Sequence, residues 1–297
     1  MDGRASRPVR PYDIVGSARH KPGQKTVPHS PAPLGHLAAE LLACLRFYTR
    51  LPIPEPWFEA AHRPEPFSRV LRWAPLAGLV VGSCGAAAMM AATLLGLPPL
   101  VSGALALASA IVVGGGLHED GLADMADGFG GGSTTARKLE IMRDSRLGTY
   151  GAIAVCMSLL LRAAAVAALI ERSGTLVAVA GFVAASAASR GIGLLPMALL
   201  PPARRDGLAH AAGELGSGVF PTAWALASGI GIALPTAAGD GLARPLTALA
   251  LATVASFGTA ILARRQIGGH TGDVAGAAQQ FCEGAFLIGL LVGPVPR

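Results

Sequence analysis

LVSGALALASAIVVGGGLHEDGLADMADG, residues 100–128, passes in one line from an uncharged apolar run to a cluster of acids. Residues 100–116 carry no charge and approach the roughly 20 residues that cross a hydrocarbon core. Directly after them come Asp120, Asp124 and Asp127. On a helix, offsets of four and seven bring these three within about 40° of one another on a single face. Carboxylates stacked in this way repel unless a positive charge sits between them. A hard cation such as Mg²⁺, held through carboxylate oxygens and shared with a phosphate, is the simplest partner. A solvated acidic helix end has the same spacing. However, Leu122, Ala123, Met125 and Ala126 make the segment half-buried, where unpaired carboxylates are costly. Gly121 and Gly128 remove bulk beside Asp120 and Asp127, leaving space for a phosphate or for close backbone approach. His118 points away from the aspartate face and ranks below them as a ligand.

Outward from this stretch the chain keeps the same character. Of its 297 residues 52% are apolar and 14% charged, and the mean hydropathy of +0.51 lies outside the soluble range. The segments 73–96, 100–116, 149–170, 175–200, 222–238, 245–263 and 284–296 are almost uncharged, the last being short. The expected fold is all-α, a polytopic transmembrane helical bundle of about seven spans. An amphipathic or re-entrant helix, or an eighth crossing, is expected over 34–50. Small residues such as Gly78, Gly82, Gly181 and Ala185 favour close helix approach. Residues 1–33, rich in Pro, Arg, Lys, His and Ser, read as a disordered basic tail and lack the apolar core of a signal peptide. The remainder, 34–297, reads as one integral membrane catalytic domain. The isolated cysteines Cys44, Cys84, Cys156 and Cys282 suggest neither zinc nor disulfides.

If seven spans alternate, the polar segments 51–72, 117–148, 201–221 and 264–283 share one side of the membrane. That side holds most of the arginines, so the positive-inside bias makes it cytoplasmic. It also holds the remaining candidate groups. GFGGGSTTARK (128–138) is a glycine-rich turn followed by Ser133 and Thr134, good caps for a helix over 135–144, and lacks the lysine spacing of a Walker loop. In KLEIMRDSRLGTYG (138–151), Arg143 and Arg146, beside Ser145, are spaced to fork phosphate oxygens. The same spacing also suits a salt-bridged surface helix. Arg190 and Arg162 lie deep within apolar helices, and each calls for a carboxylate or phosphate partner. GGHTGD (268–273) reads as a tight loop in which His270, Thr271 and Asp273 face an anion–metal pair. Glu283 is expected to open the last helix.

With these residues assembled, the chain resembles the adenosylcobinamide-GDP ribazoletransferases, the cobalamin synthase family. The resemblance spans residues 40–295 through FYTRLPIP (47–54), HEDGLADMADG (118–128), LEIMRDSRLGTYG (139–151), ARRDGL (203–208) and GGHTGDVAGA (268–277). It implies a polytopic inner-membrane enzyme that uses Mg²⁺. Such an enzyme joins adenosylcobinamide-GDP to α-ribazole or its 5′-phosphate and releases GMP. Carried onto this chain, Asp120, Asp124, Asp127 and Asp273 become metal ligands. Arg143, Ser145, Arg146, Arg190, His270 and Thr271 become substrate contacts, and Asp127, Asp124, Arg143 and Arg146 the catalytic set. Asp127 is the expected acceptor of the ribazole hydroxyl proton. The family pattern usually has an apolar residue where Glu119 stands, and often a glutamate where Gln280 stands. The implied partners are the two substrates and the lipid bilayer, with no nucleic acid. Association with other late cobalamin-pathway enzymes stays open, as does the oligomeric state. Two rivals fit less well. A CDP-alcohol phosphotransferase has an Ala-Arg soon after its first Asp-Gly, and a transporter sets its acids near the membrane midplane.

Overall fold

The computed structural model describes residues 33–53, 67–204 and 215–293. The basic tail expected over 1–33 falls, but for its last residue, outside them. Among the described residues every regular element is helical. α1 is Pro33–Tyr48, and the short α2, Phe67–Val70, runs through a 3₁₀ turn into α3, Ala74–Leu94. α4 (Pro99–Gly114), α5 (Leu117–Gly131) and α6 (Thr135–Ile141) follow. Next come α7 (Thr149–Ser173), α8 (Thr175–Ile192) and the one-turn extension α9 (Leu195–Leu199). α10 (Val219–Ala237), α11 (Ala243–Ile267) and α12 (Gly272–Leu291) complete the bundle.

Six helical stretches are long and apolar enough to cross a membrane, and α4 with α5 makes a seventh candidate bent by 92°. The bend falls at Gly115 and Gly116, both at φ +69°, a left-handed region that glycine alone enters cheaply. α5 therefore turns away from the spanning direction, as the change from apolar to acidic sequence requires. Connections of a few residues at 95–98, 174 and 238–242 force neighbouring spans to run antiparallel. α5, α6 and the 200–204 and 268–271 loops consequently gather at the opposite end. The distribution of side chains is that of a protein in lipid. Leu160, Leu161, Val254 and Phe257 face outward, whereas Arg162, Arg190, Gln279, Gln280 and Glu283 are buried.

α1 is not among the helices long and apolar enough to cross. It packs Cys44 and Tyr48 into the cluster of Leu71, Ala74 and Ala77. Its buried Glu40 is held by Arg72 at 2.5 and 3.0 Å and by the Trp73 indole at 2.9 Å. The expected close approach of α3 is also present, since a Cβ at Gly78 would run into the Ser186 carbonyl of α8. One boundary needs correction. The last span does not begin near 284; α12 starts at Gly272. Glu283 is therefore not a helix-opening residue but sits well inside α12. The sequence reads as polar there because Gln279, Gln280 and Glu283 turn inward onto Arg162 rather than toward lipid.

Candidate functional site

The site is built where α5 crosses α12. A Cβ on Gly121 would lie 3.0 Å from the Asp273 carbonyl oxygen and 3.2 Å from the Gly276 Cα. The two backbones touch at these glycines, and the contact sets Asp120 and Asp124 of α5 beside Asp273 of α12. α12 begins with Thr271, whose Oγ1 accepts from the Val274 N–H at 3.2 Å and donates to Asp273 Oδ2 at the same distance. Thr271 is thus an N-cap that steadies the acid, and it is fully buried. The preceding loop is pinned to residues 201–203: the His270 N–H donates to the Pro201 carbonyl at 2.9 Å, and the Ala203 N–H to the His270 carbonyl at 2.8 Å. This pairing delivers Arg204 to Asp273, N to O 3.0 Å. The His270 ring is buried with Nδ1 unpartnered, and burial pushes its pKa down to about 4.

The aspartates of α5 form a gradient: Asp120 exposed, Asp124 half-buried, Asp127 buried. On α5, outside the spanning helices, the Asp124 carboxyl is pushed up to about 7. Burial is the largest cause, followed by the negative charges of Asp120, Asp273 and Asp127. Arg204 only partly offsets them. Among the described residues neither Asp120 nor Asp124 has an ion pair of its own, and no three His, Cys, Asp or Glu side chains already converge as a closed metal cage.

Asp127 is engaged differently from its two neighbours. Its oxygens accept the backbone N–H groups of Gly148 at 2.7 Å and Gly151 at 2.8 Å. These are the N-cap and third residues of α7, so the carboxylate satisfies two of that helix's four orphaned donors and faces its positive end. Asp127 therefore fixes the RDSRLG loop beside α5. In that loop Arg146 turns back onto Asp144, with Nη2 to Oδ2 2.5 Å, and this guanidinium holds the Asp144 carboxyl at about 2. Arg143 and Ser145 are exposed nearby. α6 starts from the expected cap, Thr134 Oγ1 accepting from the Arg137 N–H at 3.2 Å.

Nearly three turns further along α12 lies a second polar cluster. Arg162 of α7 pairs with Glu119 of α5 at 3.3 Å and Glu283 of α12 at 3.1 Å. Gln280 donates to Glu119 at 3.0 Å, and Gln279 to Glu283 at 2.6 Å. Arg162 thus has the carboxylate partners its depth calls for. Arg190 does not: its Nη1 donates to the Ser186 carbonyl and hydroxyl at 2.8 and 2.6 Å, and its Nε has no partner.

Between α1, α5, the end of α8 and α12 lies a cavity of about 220 Å³, with Asp120, Asp273, Arg190, His118 and Tyr48 in its wall. Sequence reasoning did not assign Arg204, Tyr48 or Gln279 to this region. Their only signal was membership of family-like stretches or an apolar helix, because each arrives from a distant segment.

A membrane-spanning helical protein with acids, arginines and a cavity gathered at one end of the bundle belongs to the class of integral-membrane transferases acting on phosphorylated substrates. Residues 40–291 match the family described as cobalamin-5-phosphate synthase, and the chain belongs to that family. It is 46% identical to the adenosylcobinamide-GDP ribazoletransferase of Azorhizobium caulinodans over 88% of this chain and 98% of that one. It is 42% identical to the enzyme of the same name from Rhizobium etli, over 85% and 96%. A third, from Xanthobacter autotrophicus, is 41% identical over 88% and 98%. No solved structure gives a significant match to this chain.

Proposed function

We propose that the protein transfers α-ribazole, or its 5′-phosphate, onto adenosylcobinamide-GDP. GMP is released, and adenosylcobalamin or its 5′-phosphate is formed. The observation that carries this reading is the under-neutralised acid face of Asp120, Asp124 and Asp273, assembled from two helices beside a cavity. Family membership supports it independently. The reaction joins a free ribose hydroxyl oxygen of ribazole, one left unsubstituted in the 5′-phosphate as well, to the phosphorus of the cobinamide phosphate; the hydroxyl proton leaves and the bond from that phosphorus to the GMP oxygen breaks. Such transfers rest on positioning and charge neutralisation rather than covalent help from protein.

Asp120, Asp124 and Asp273 would hold Mg²⁺. The donor set fits that ion, which binds through one or two carboxylates and completes its shell with water and substrate phosphates rather than in a closed protein cage. When bound, the ion supplies charge neutralisation of the pyrophosphate and of the leaving oxygen. Asp127 holds the RDSRLG loop against the site through both oxygens, which gives it a positioning part. The open carboxylates for the ribazole hydroxyl proton are those of Asp120 and Asp124. Arg143 and Arg146 bind phosphate, Arg146 by leaving Asp144. Arg204 orients Asp273. The positive-inside bias makes the site-bearing end cytoplasmic, in the bacterial inner membrane.

The test is a reconstituted reaction with adenosylcobinamide-GDP and α-ribazole in which GMP is followed as Mg²⁺ is titrated. Release of CMP from CDP-diacylglycerol and an alcohol, with no GMP from the corrinoid, would replace this reading with a CDP-alcohol phosphotransferase.

A further inference from the structure

The cavity beside the acids is too small for most of what the reaction handles. An apolar cavity of about 150 Å³ accepts a benzene ring, so about 220 Å³ takes one bicyclic aromatic and excludes a macrocycle or a whole nucleotide. Its wall is mainly apolar, with Leu71, Leu194 and Met197 among its members. Two wall residues, Tyr48 and His118, stack on one another at 5.6 Å with 13° between their planes, and a further aromatic ring extends such a stack from its outer face. A base with one ring-nitrogen lone pair and otherwise C–H and methyl edges needs a single donor. Arg190 reaches this wall with an unpartnered Nε and is 5% exposed.

Resting on the transferase reading above, we propose that this cavity binds the bicyclic aromatic base of the ribazole acceptor. The ring continues the Tyr48–His118 stack, and its free ring nitrogen faces the Arg190 guanidinium. The ribose then leaves the cavity past Asp120 and Asp273, which stand in the same wall, and its reacting hydroxyl is carried to the acid face. The corrinoid nucleotide approaches from outside the cavity. The order of the polar groups thus gives the acceptor a defined direction, base inward and reacting hydroxyl outward.

The full-length protein in lipid vesicles, as wild type, Met197→Trp and Ala275→Phe, is assayed for the KM of each substrate. Both substitutions fill the cavity from different walls, and thermal unfolding checks that each folds. The expected result is a rise of about tenfold or more in the KM for ribazole, with the KM for adenosylcobinamide-GDP within about twofold of wild type. 5,6-Dimethylbenzimidazole should compete with ribazole and not with the corrinoid nucleotide, and Arg190→Met should weaken its binding. Competition with the corrinoid nucleotide, a KM effect confined to that substrate, or no KM effect in either folded variant overturns the proposal. Should wild type release no GMP, the transferase reading falls by itself. Binding of 5,6-dimethylbenzimidazole, lost in Met197→Trp, then still decides the cavity assignment.

Discussion

Two carboxylate clusters share α5 and α12, and they are balanced in opposite ways. In the deeper one Glu119 and Glu283 meet Arg162, with Gln279, Gln280 and Ser189 filling the remaining hydrogen-bond capacity. In the outer one Asp120, Asp124 and Asp273 face Arg204 as their one ion-pair partner among the described residues. Buried charge that is paired and saturated with hydrogen bonds maintains the bundle, and its removal is expensive. Charge left without a partner at the bundle end awaits something from outside. The same residue types on the same pair of helices therefore do different work, and neutralisation separates them.

The largest effect that would break this contrast is in the outer cluster. Asp124→Asn should lower GMP release by on the order of 10²–10³-fold while leaving the melting temperature equal or higher, since it removes a repelling charge. Activity near wild type in both Asp124→Asn and Asp120→Asn would refute the metal role. In the inner cluster the signs reverse. Arg162→Met strands Glu119 and Glu283 and should cost about 3–5 kcal/mol in stability, read as loss of folded protein in detergent.

Glu119 and Gln280, the two positions where the resemblance expects other residues, contact each other, and Glu119 gives Arg162 a second carboxylate beside Glu283. Glu119→Leu with Gln280→Glu should therefore be more stable than Glu119→Leu alone, by about 1–3 kcal/mol. Equal stabilities would mean the two positions are uncoupled.

A pH series sharpens the contrast further. Because the Asp124 pKa is raised to about 7 in the folded protein, its stabilising contribution is full below the ordinary carboxylate range. It is lost as pH rises through 7. Metal-free protein should melt progressively lower from pH 5 to pH 8, and Mg²⁺ should recover the loss at pH 8. A melting temperature indifferent to Mg²⁺ at pH 8 would contradict the assignment. The smallest stability effect belongs to Arg146→Ala, because its pair with Asp144 is exposed and screened by solvent. A large fall in kcat/KM with that small change would place Arg146 on substrate, and wild-type kinetics would leave it as a partner of Asp144.

Much of this arrangement is written in local patterns. The uncharged runs locate the spans, the i, i+4, i+7 acids locate the outer cluster, and Thr134 caps its helix as its position predicts. What the sequence hides depends on contacts across distance. Asp127 looks like its neighbours on the helical wheel, but its partners are amides 21 and 24 residues further on. The start of α12 is masked because Gly-Gly-His-Thr-Gly reads as loop and three polar residues interrupt the apolar run behind it. Those residues are tolerated only because Arg162 lies opposite. Arg190 called for an acid and found Ser186 instead, a local solution invisible to spacing alone.

The glycine hinge after α4 has one more consequence. At 16 residues this helix rises about 24 Å, less than the roughly 30 Å of hydrocarbon it must traverse. With its start at one hydrocarbon boundary, α4 would end short of the other, and the acidic rung that swings off it would lie below that headgroup layer. At that depth a ligand lying in the bilayer surface would reach the acids more directly than one arriving from water.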